Sequence, residues 1–161
     1  MAFYPRRPAL RLVNSSGAVV AGPLKLWLPD SMNQGIICTA SVRYTPELLG
    51  PYPNTSYQER WRVLGYRPEI DLRFPAVLAD GASGAALLLS YFTASLASET
   101  FAALQFNLFH DTSAVWRGVY PTSGWEPRPL GGKDRLGYEM EWSLRARDLV
   151  AAPGDPTLGT W

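Results

Sequence analysis

Between Tyr138 and Arg147 apolar and polar side chains alternate without a break: Tyr138, Met140, Trp142, Leu144 and Ala146 against Glu139, Glu141, Ser143, Arg145 and Arg147. Successive side chains of a strand point to opposite faces, so this period of two predicts a strand with one dry and one wet face, about 33 Å long. Such a strand needs partners, and the remaining sequence supplies them. Glu69 to Phe74 repeats the pattern, with Ile70, Leu72 and Phe74 inward, and Pro75 is expected to stop it. Ala9 to Val13 and Pro23 to Leu28 read as a hairpin around Asn14-Ser15-Ser16-Gly17, a strong turn signal. Ile36 to Thr45 is β-prone. In Tyr57 to Val63, Tyr57, Glu59, Trp61 and Val63 face one way and Gln58, Arg60 and Arg62 the other. Phe101 to Phe109 and Ala114 to Tyr120 complete the set, with a further strand near Trp125 and a turn at Gly131-Gly132-Lys133-Asp134.

Two segments break the alternation. Residues 46 to 56 carry three prolines and a glycine, a content that excludes a helix or an interior strand and predicts an extended excursion. Residues 84 to 98 carry Leu87, Leu88, Tyr91, Phe92 and Leu96 at helical spacing, after Asp80 and Ser83 as capping candidates. The expected fold is therefore mainly β, a β-sandwich or rolled antiparallel sheet flanked by one α-helix. At 161 residues the chain suits a single domain, here residues 1 to 150, followed by an irregular tail over 151 to 161. In that tail Trp161 is expected to be either disordered or docked on a neighbouring molecule.

Bulk chemistry excludes several partners. A net charge of +1 provides no field for polyanions or membrane surfaces. The single cysteine, Cys38, rules out an internal disulfide and any multi-thiolate metal site. No apolar run reaches membrane-span length and the first residues lack a signal-peptide core, so folding in a cytoplasm is expected.

Catalytic motifs fail on spacing or on missing partners. His110 is the only histidine, and beside Asp111 it reads as a turn residue. Gly81-Ala82-Ser83-Gly84 misses the nucleophile-elbow spacing by one position, which leaves Ser83 as a cap. Glu69 with Asp71, or Glu139 with Glu141, would share a strand face as glycosidase carboxylates do, yet each pair sits in a regular polar alternation among arginines. Gly131-Gly132-Lys133 lacks the rest of a phosphate loop, and Asn14 and Asn54 head sequons that matter only in a secreted chain. Arg60, Arg62, Arg67 and Arg73 lie near Tyr57, Trp61 and Tyr66 in the manner of a single-strand nucleic-acid platform, but without a wider basic footprint. No enzyme, no catalytic residue, no metal and no cofactor is expected.

In order and pattern, residues 57 to 150 resemble the distal-tail and tail-tube group of long-tailed bacteriophages. The likeness is carried by Gly65-Tyr66-Arg67, by the alternating strand Glu69 to Phe74, by the helix, and by the late strand running from Tyr138 to Leu149. It implies a β-sandwich or rolled sheet with one flanking helix, whose copies close into a ring, commonly a hexamer, at or near the end of the tail tube. DNA would be passing cargo, other tail proteins would be partners, and the ring would be assembled in the host cytoplasm for the virion. A head-to-tail joining or tail terminator ring is the nearest alternative. A carbohydrate-binding β-sandwich is another, and it predicts solvent-exposed Trp61, Trp116 or Trp125. For the ring, residues 46 to 56 or 151 to 161 are the expected contacts with an adjacent subunit.

Overall fold

The computed structural model describes residues 6–28, 36–52, 60–78, 84–97, 104–111, 113–130, 137–154 and 160–161. In chain order the elements are β1 (Ala9–Val13), β2 (Val19–Lys25), β3 (Ile36–Tyr52), β4 (Arg60–Leu78), α1 (Ala85–Ala97), β5 (Leu104–Asn107), β6 (Arg117–Pro121), β7 (Arg128–Pro129) and β8 (Gly137–Ala146). The expectation of a mainly β chain with one helix holds. All strands join one sheet in the order β2-β1-β5-β6-β8-β4-β3, with β7 added to β8. Every pairing of named strands is antiparallel.

The strand with the cleanest alternation lies inside the sheet. β8 pairs with β4 through Leu72↔Trp142 and Ile70↔Leu144, and with β6 through Val119↔Ala146. Met140, Trp142, Leu144 and Ala146 are buried against Ile70, Leu72, Phe74 and Phe106, as the period of two requires. The sheet is rolled. Arg6, just ahead of β1, donates from Nη1 to the Ala40 carbonyl of β3 at 3.0 Å. In a flat sheet the five steps from β1 to β3 would span about 24 Å, well beyond the reach of an arginine.

At the first hairpin the Asn14 side chain accepts hydrogen bonds from the Ser16 amide (3.0 Å), the Ser16 hydroxyl (2.7 Å) and the Ala18 amide (3.0 Å). Asn14 thus acts as the turn's own acceptor. The return strand is Val19–Lys25, earlier than the Pro23 to Leu28 expected, because β2 pairs from Val13↔Val19 to Ala9↔Lys25.

Three further expectations are corrected. β3 runs through Pro46 and Gly50 to Tyr52 where an excursion was expected. It is the outermost strand, so alternate N–H groups face away from the ladder and proline removes no bond there. Pro75 does not stop β4. The register slips between Phe74 and Val77 opposite Met140 and Tyr138, and this bulge absorbs the proline. Leu96 points outward at 61% exposure, and the buried face of α1 is Leu88, Tyr91, Phe92 and Ser95. A helix with apolar residues on every side does not specify its own rotation.

Trp161 is docked on its own domain. Trp161 is buried edge-on against Phe106, with ring centroids 5.2 Å apart, and Arg117 lies over its ring at 5.1 Å while also donating to its carbonyl.

Candidate functional site

The carboxylate pairs are structural in their surroundings. Glu69 accepts from Arg43 Nη2 (2.9 Å), Arg145 Nη2 (2.7 Å) and the Thr45 hydroxyl (3.0 Å). Burial opposes its ionisation, but the hydrogen bonds from Arg43, Arg145 and Thr45 outweigh that and hold the carboxyl below its ordinary value. An acid pinned in its ionised form by two guanidinium groups has no proton to donate. Asp71 accepts from the Ser143 hydroxyl at 2.7 Å. Glu139 and Glu141 are exposed, with Glu141 3.9 Å from Arg73 on the wet face of the sheet. Together with Glu126, Arg73 and Arg128 they line an open groove of about 250 Å³ that mixes both charge signs. Among the described residues no group of three metal-ligating side chains comes together. Ser83, Gly131 to Lys133, Asn54 and Tyr57 lie outside the described residues.

His110 sits in a stack that spacing alone does not reveal. Its ring lies 5.4 Å from Trp27 and 5.5 Å from Trp116, Arg11 covers Trp116 at 4.2 Å, and Arg11 Nε donates to Gln105 at 2.7 Å. Burial, then Lys25, then Arg11 hold the imidazole below its ordinary value. An unfolded histidine titrates near pH 6.5, so the unfolded chain takes up this proton first and stability falls as pH drops below about 6.5. The expected result is a lower urea midpoint at pH 5.5 than at pH 7.5, with most of that difference gone in His110→Gln. The depressed carboxylates act in a separate window, below about pH 4.3. Equal pH dependence of the two proteins would refute the assignment.

Among the described residues, the basic and aromatic side chains grouped in the sequence do not form a single platform. Arg73 is on the body of β4. Arg67 is tied down, donating to the Glu47 carboxylate and to the carbonyls of Ala146 (2.9 Å) and Arg147 (2.6 Å). Of the three tryptophans that a sugar-binding surface would expose, Trp116 is half-buried under Arg11, and Trp125 is half-buried 5.6 Å from Phe92. Only Trp61 is exposed.

Trp61 belongs to the feature that most distinguishes this surface. β8 pairs with β4 only from Glu69 to Leu78, and a bridge between Tyr66 and Val150 marks the last contact on that side. Beyond Gly65 the strands β3 and β4 continue as a two-stranded arm, Leu48 to Tyr52 against Arg60 to Leu64. Five residues of strand add about 17 Å of reach. The root of the arm is firm, because Tyr66 and Val150 exchange two backbone hydrogen bonds of 2.8 Å and Arg67 joins β3 to the end of β8.

The arm carries the core face outward. Val42↔Ile70, Tyr44↔Pro68, Pro46↔Tyr66 and Leu48↔Val63 are successive pairs on that face. One extra β4 residue at the Glu47/Leu48 register shift makes a bulge that keeps Val63, and hence Trp61, on the side of Ile70. Arg62 opposite Leu49, and Arg60 two residues away, take the other side. A Cβ at Gly50 would lie 2.8 Å from the Arg60 carbonyl and 3.2 Å from the Trp61 ring at a φ of 145°, so glycine is what allows the tryptophan to lie there. Leu48, Leu49, Trp61, Val63 and Leu64 are each 46 to 51% exposed. Their full burial would be worth about 1.5–3 kcal/mol per side chain, so roughly half of that is unrealised in an isolated copy.

A second uncovered surface lies on α1. Its outward stripe is Ala86, Leu89, Ser90, Thr93 and Leu96, and the helix has no acidic or basic residue. The Ser90 hydroxyl donates to the Leu87 carbonyl (2.6 Å) and the Thr93 hydroxyl to that of Leu89 (3.0 Å), so both turn their polar atoms to the backbone. What faces outward is methyl and methylene surface.

The chain matches no protein-family model, and no curated protein matches it.

Proposed function

We propose that this protein is a structural subunit that assembles with copies of itself into a ring, at or near the end of the tail tube of a long-tailed phage. The observation that carries the reading is the arm. Two bonded strands hold an apolar face beyond the reach of their own core, and a contiguous exposed apolar face is the usual mark of an interaction surface. Residues 48 to 52, the part of the arm that falls within the 46 to 56 expected from the sequence to contact an adjacent subunit, form one of its strands. The resemblance to the tail group supplies the setting: the virion tail, DNA as passing cargo, and other tail proteins above and below the ring. A joining or terminator ring would use the same arm. Self-association is the shared claim.

The test is the molar mass of the wild-type chain and of Trp61→Ser/Val63→Ser, measured by light scattering over low to high micromolar concentrations, with negative-stain images of the larger species. The wild type is expected to form closed rings. The variant, which loses a tryptophan of the kind that dominates interface energetics, is expected to associate at least about 30-fold more weakly, the equivalent of about 2 kcal/mol. A wild-type chain that stays monomeric throughout overturns the reading. Gold-labelled antibody on intact particles then reports which level of the tail the ring occupies.

A further inference from the structure

Resting on the ring reading, we infer that Trp161 is a positioning residue for assembly: seated between the walls of the roll, it holds the segment after β8 against the root of the arm, and the arm keeps one direction only while that seat is filled. The segment touches the body at few points. Its first anchor is Arg147, whose amide donates to the Gly118 carbonyl (2.9 Å) and whose carbonyl accepts from Arg67 (2.6 Å). Asp148, Leu149, Ala151, Ala152 and Pro153 are exposed, and between them Val150 makes its bridge to Tyr66. That bridge is not extended into a ladder. Two surface bonds with exposed flanks open readily, unless the chain is anchored on both sides and gains little freedom by opening. The second anchor is the backbone contact of Gly154 with Trp161, so close that a Cβ on Gly154 has no room.

This second anchor spans the roll. Phe106 on β5 and Arg117 on β6 are direct cross-strand partners and share the core face, and Trp161 packs on both. Tyr44 belongs to the opposite wall. Burial pushes its phenol up, while the Gly154 backbone and the Arg117 charge oppose that rise. β6 and β3 are three steps apart in the strand order, so a flat sheet would hold Arg117 and Tyr44 about 14 Å apart. The seat of Trp161 therefore ties β5 and β6 to β3, while Val150 ties the same segment to β4.

The segment bears on the point where the arm turns away from the body. Gly65 pairs with Glu47 beside the bulge that precedes Leu48, and bulges bend the strands that carry them. A Cβ at Gly65 would lie 3.0 Å from the Leu149 Cβ and 3.2 Å from the Val150 carbonyl oxygen, so Leu149 and Val150 rest directly on this turn. With Trp161 unseated, Arg67 still holds the chain at Ala146 and Arg147, but Val150 lies three residues beyond that hold. The bridge then loosens and the arm can swing. A closed ring requires the same angle at every contact, so an arm without a fixed direction has to be ordered each time it binds.

Native-state amide exchange reads the bridge directly, because the Tyr66 and Val150 N–H groups are its two bonds. In Trp161→Ala both amides are expected to exchange at least about 10-fold faster than in the wild type, with Trp161→Phe in between. Gly154→Val, which displaces Trp161 from the other side, is expected to repeat the effect and serves if the alanine variant does not fold. Trp142→Phe is the control: it weakens the packing of β8 on Phe92 of α1 but leaves the seat intact, and the same two amides are expected to change less than about twofold. Unchanged exchange in the variants of the seat, or equal acceleration in the control, overturns the inference.

Assembly supplies the second measurement. Under conditions where both chains are folded, Trp161→Ala is expected to associate at least about 10-fold more weakly than the wild type, although every residue of the arm is intact. Rings of wild-type strength from the folded variant overturn the positioning role. A monomeric wild type overturns the ring reading instead, and amide exchange then still decides whether the seat of Trp161 holds the arm.

Discussion

Trp142→Ala is expected to destabilise the domain by about 3–5 kcal/mol, the range for removing a fully buried tryptophan. For a domain of this size that lowers Tm by about 10 °C or more. Trp142 is the largest fully buried side chain, opposite Leu72 on β4 and 5.8 Å from Phe92 of α1, so it joins the sheet to its helix. Alanine leaves a cavity exactly where those two layers meet, and neither layer can collapse without moving the other. Trp142→Phe fills most of that volume and is expected to cost less than half as much. Thermal and urea unfolding followed by circular dichroism read both. A loss below 1 kcal/mol for the alanine variant would mean that the helix does not rest on β8.

The second large effect concerns the C-terminal tryptophan. Trp161→Ala is expected to cost about 3 kcal/mol, because it removes a buried ring from Phe106 and leaves the Arg117 guanidinium without its cover. Gly154→Val is expected to do nearly the same from a distance in sequence. A Cβ at Gly154 would fall 2.4 Å from the Trp161 Cα and 2.6 Å from its amide nitrogen, and backbone cannot yield as a flexible side chain does. The two changes break one contact, so the double variant is expected to be no less stable than the worse single one. Urea midpoints for the three variants test this. Additive losses would show that Gly154 and Trp161 act separately.

Both effects mark the boundary between what patterning reveals and what packing adds. The inward sets of β4 and β8, with Ile70, Leu72, Phe74, Met140, Trp142 and Leu144, follow from alternation, because side-chain direction in a strand depends only on the local backbone. Asn14 in its turn and the extent of α1 are legible for the same reason.

The projecting arm was only half legible. The alternation of Trp61 and Val63 against Arg60 and Arg62 was visible, but an amphipathic strand in a sequence looks the same whether its apolar face meets a core or open water. What separates the two cases is that β8 stops pairing with β4 at Glu69, and sequence patterning does not announce where a partner strand ends. Pro46 passed for a strand breaker because the rule against proline holds for interior strands, and β3 becomes an edge only through the order of the whole sheet. The outward turn of Leu96, the stack of Trp27, His110 and Trp116, and the burial of Trp161 share that origin. Periodicity along the chain settles which way each side chain points within its own element. Which elements lie side by side, and so which apolar faces remain uncovered, is settled by contacts between residues far apart in sequence, where no local repeat carries the information.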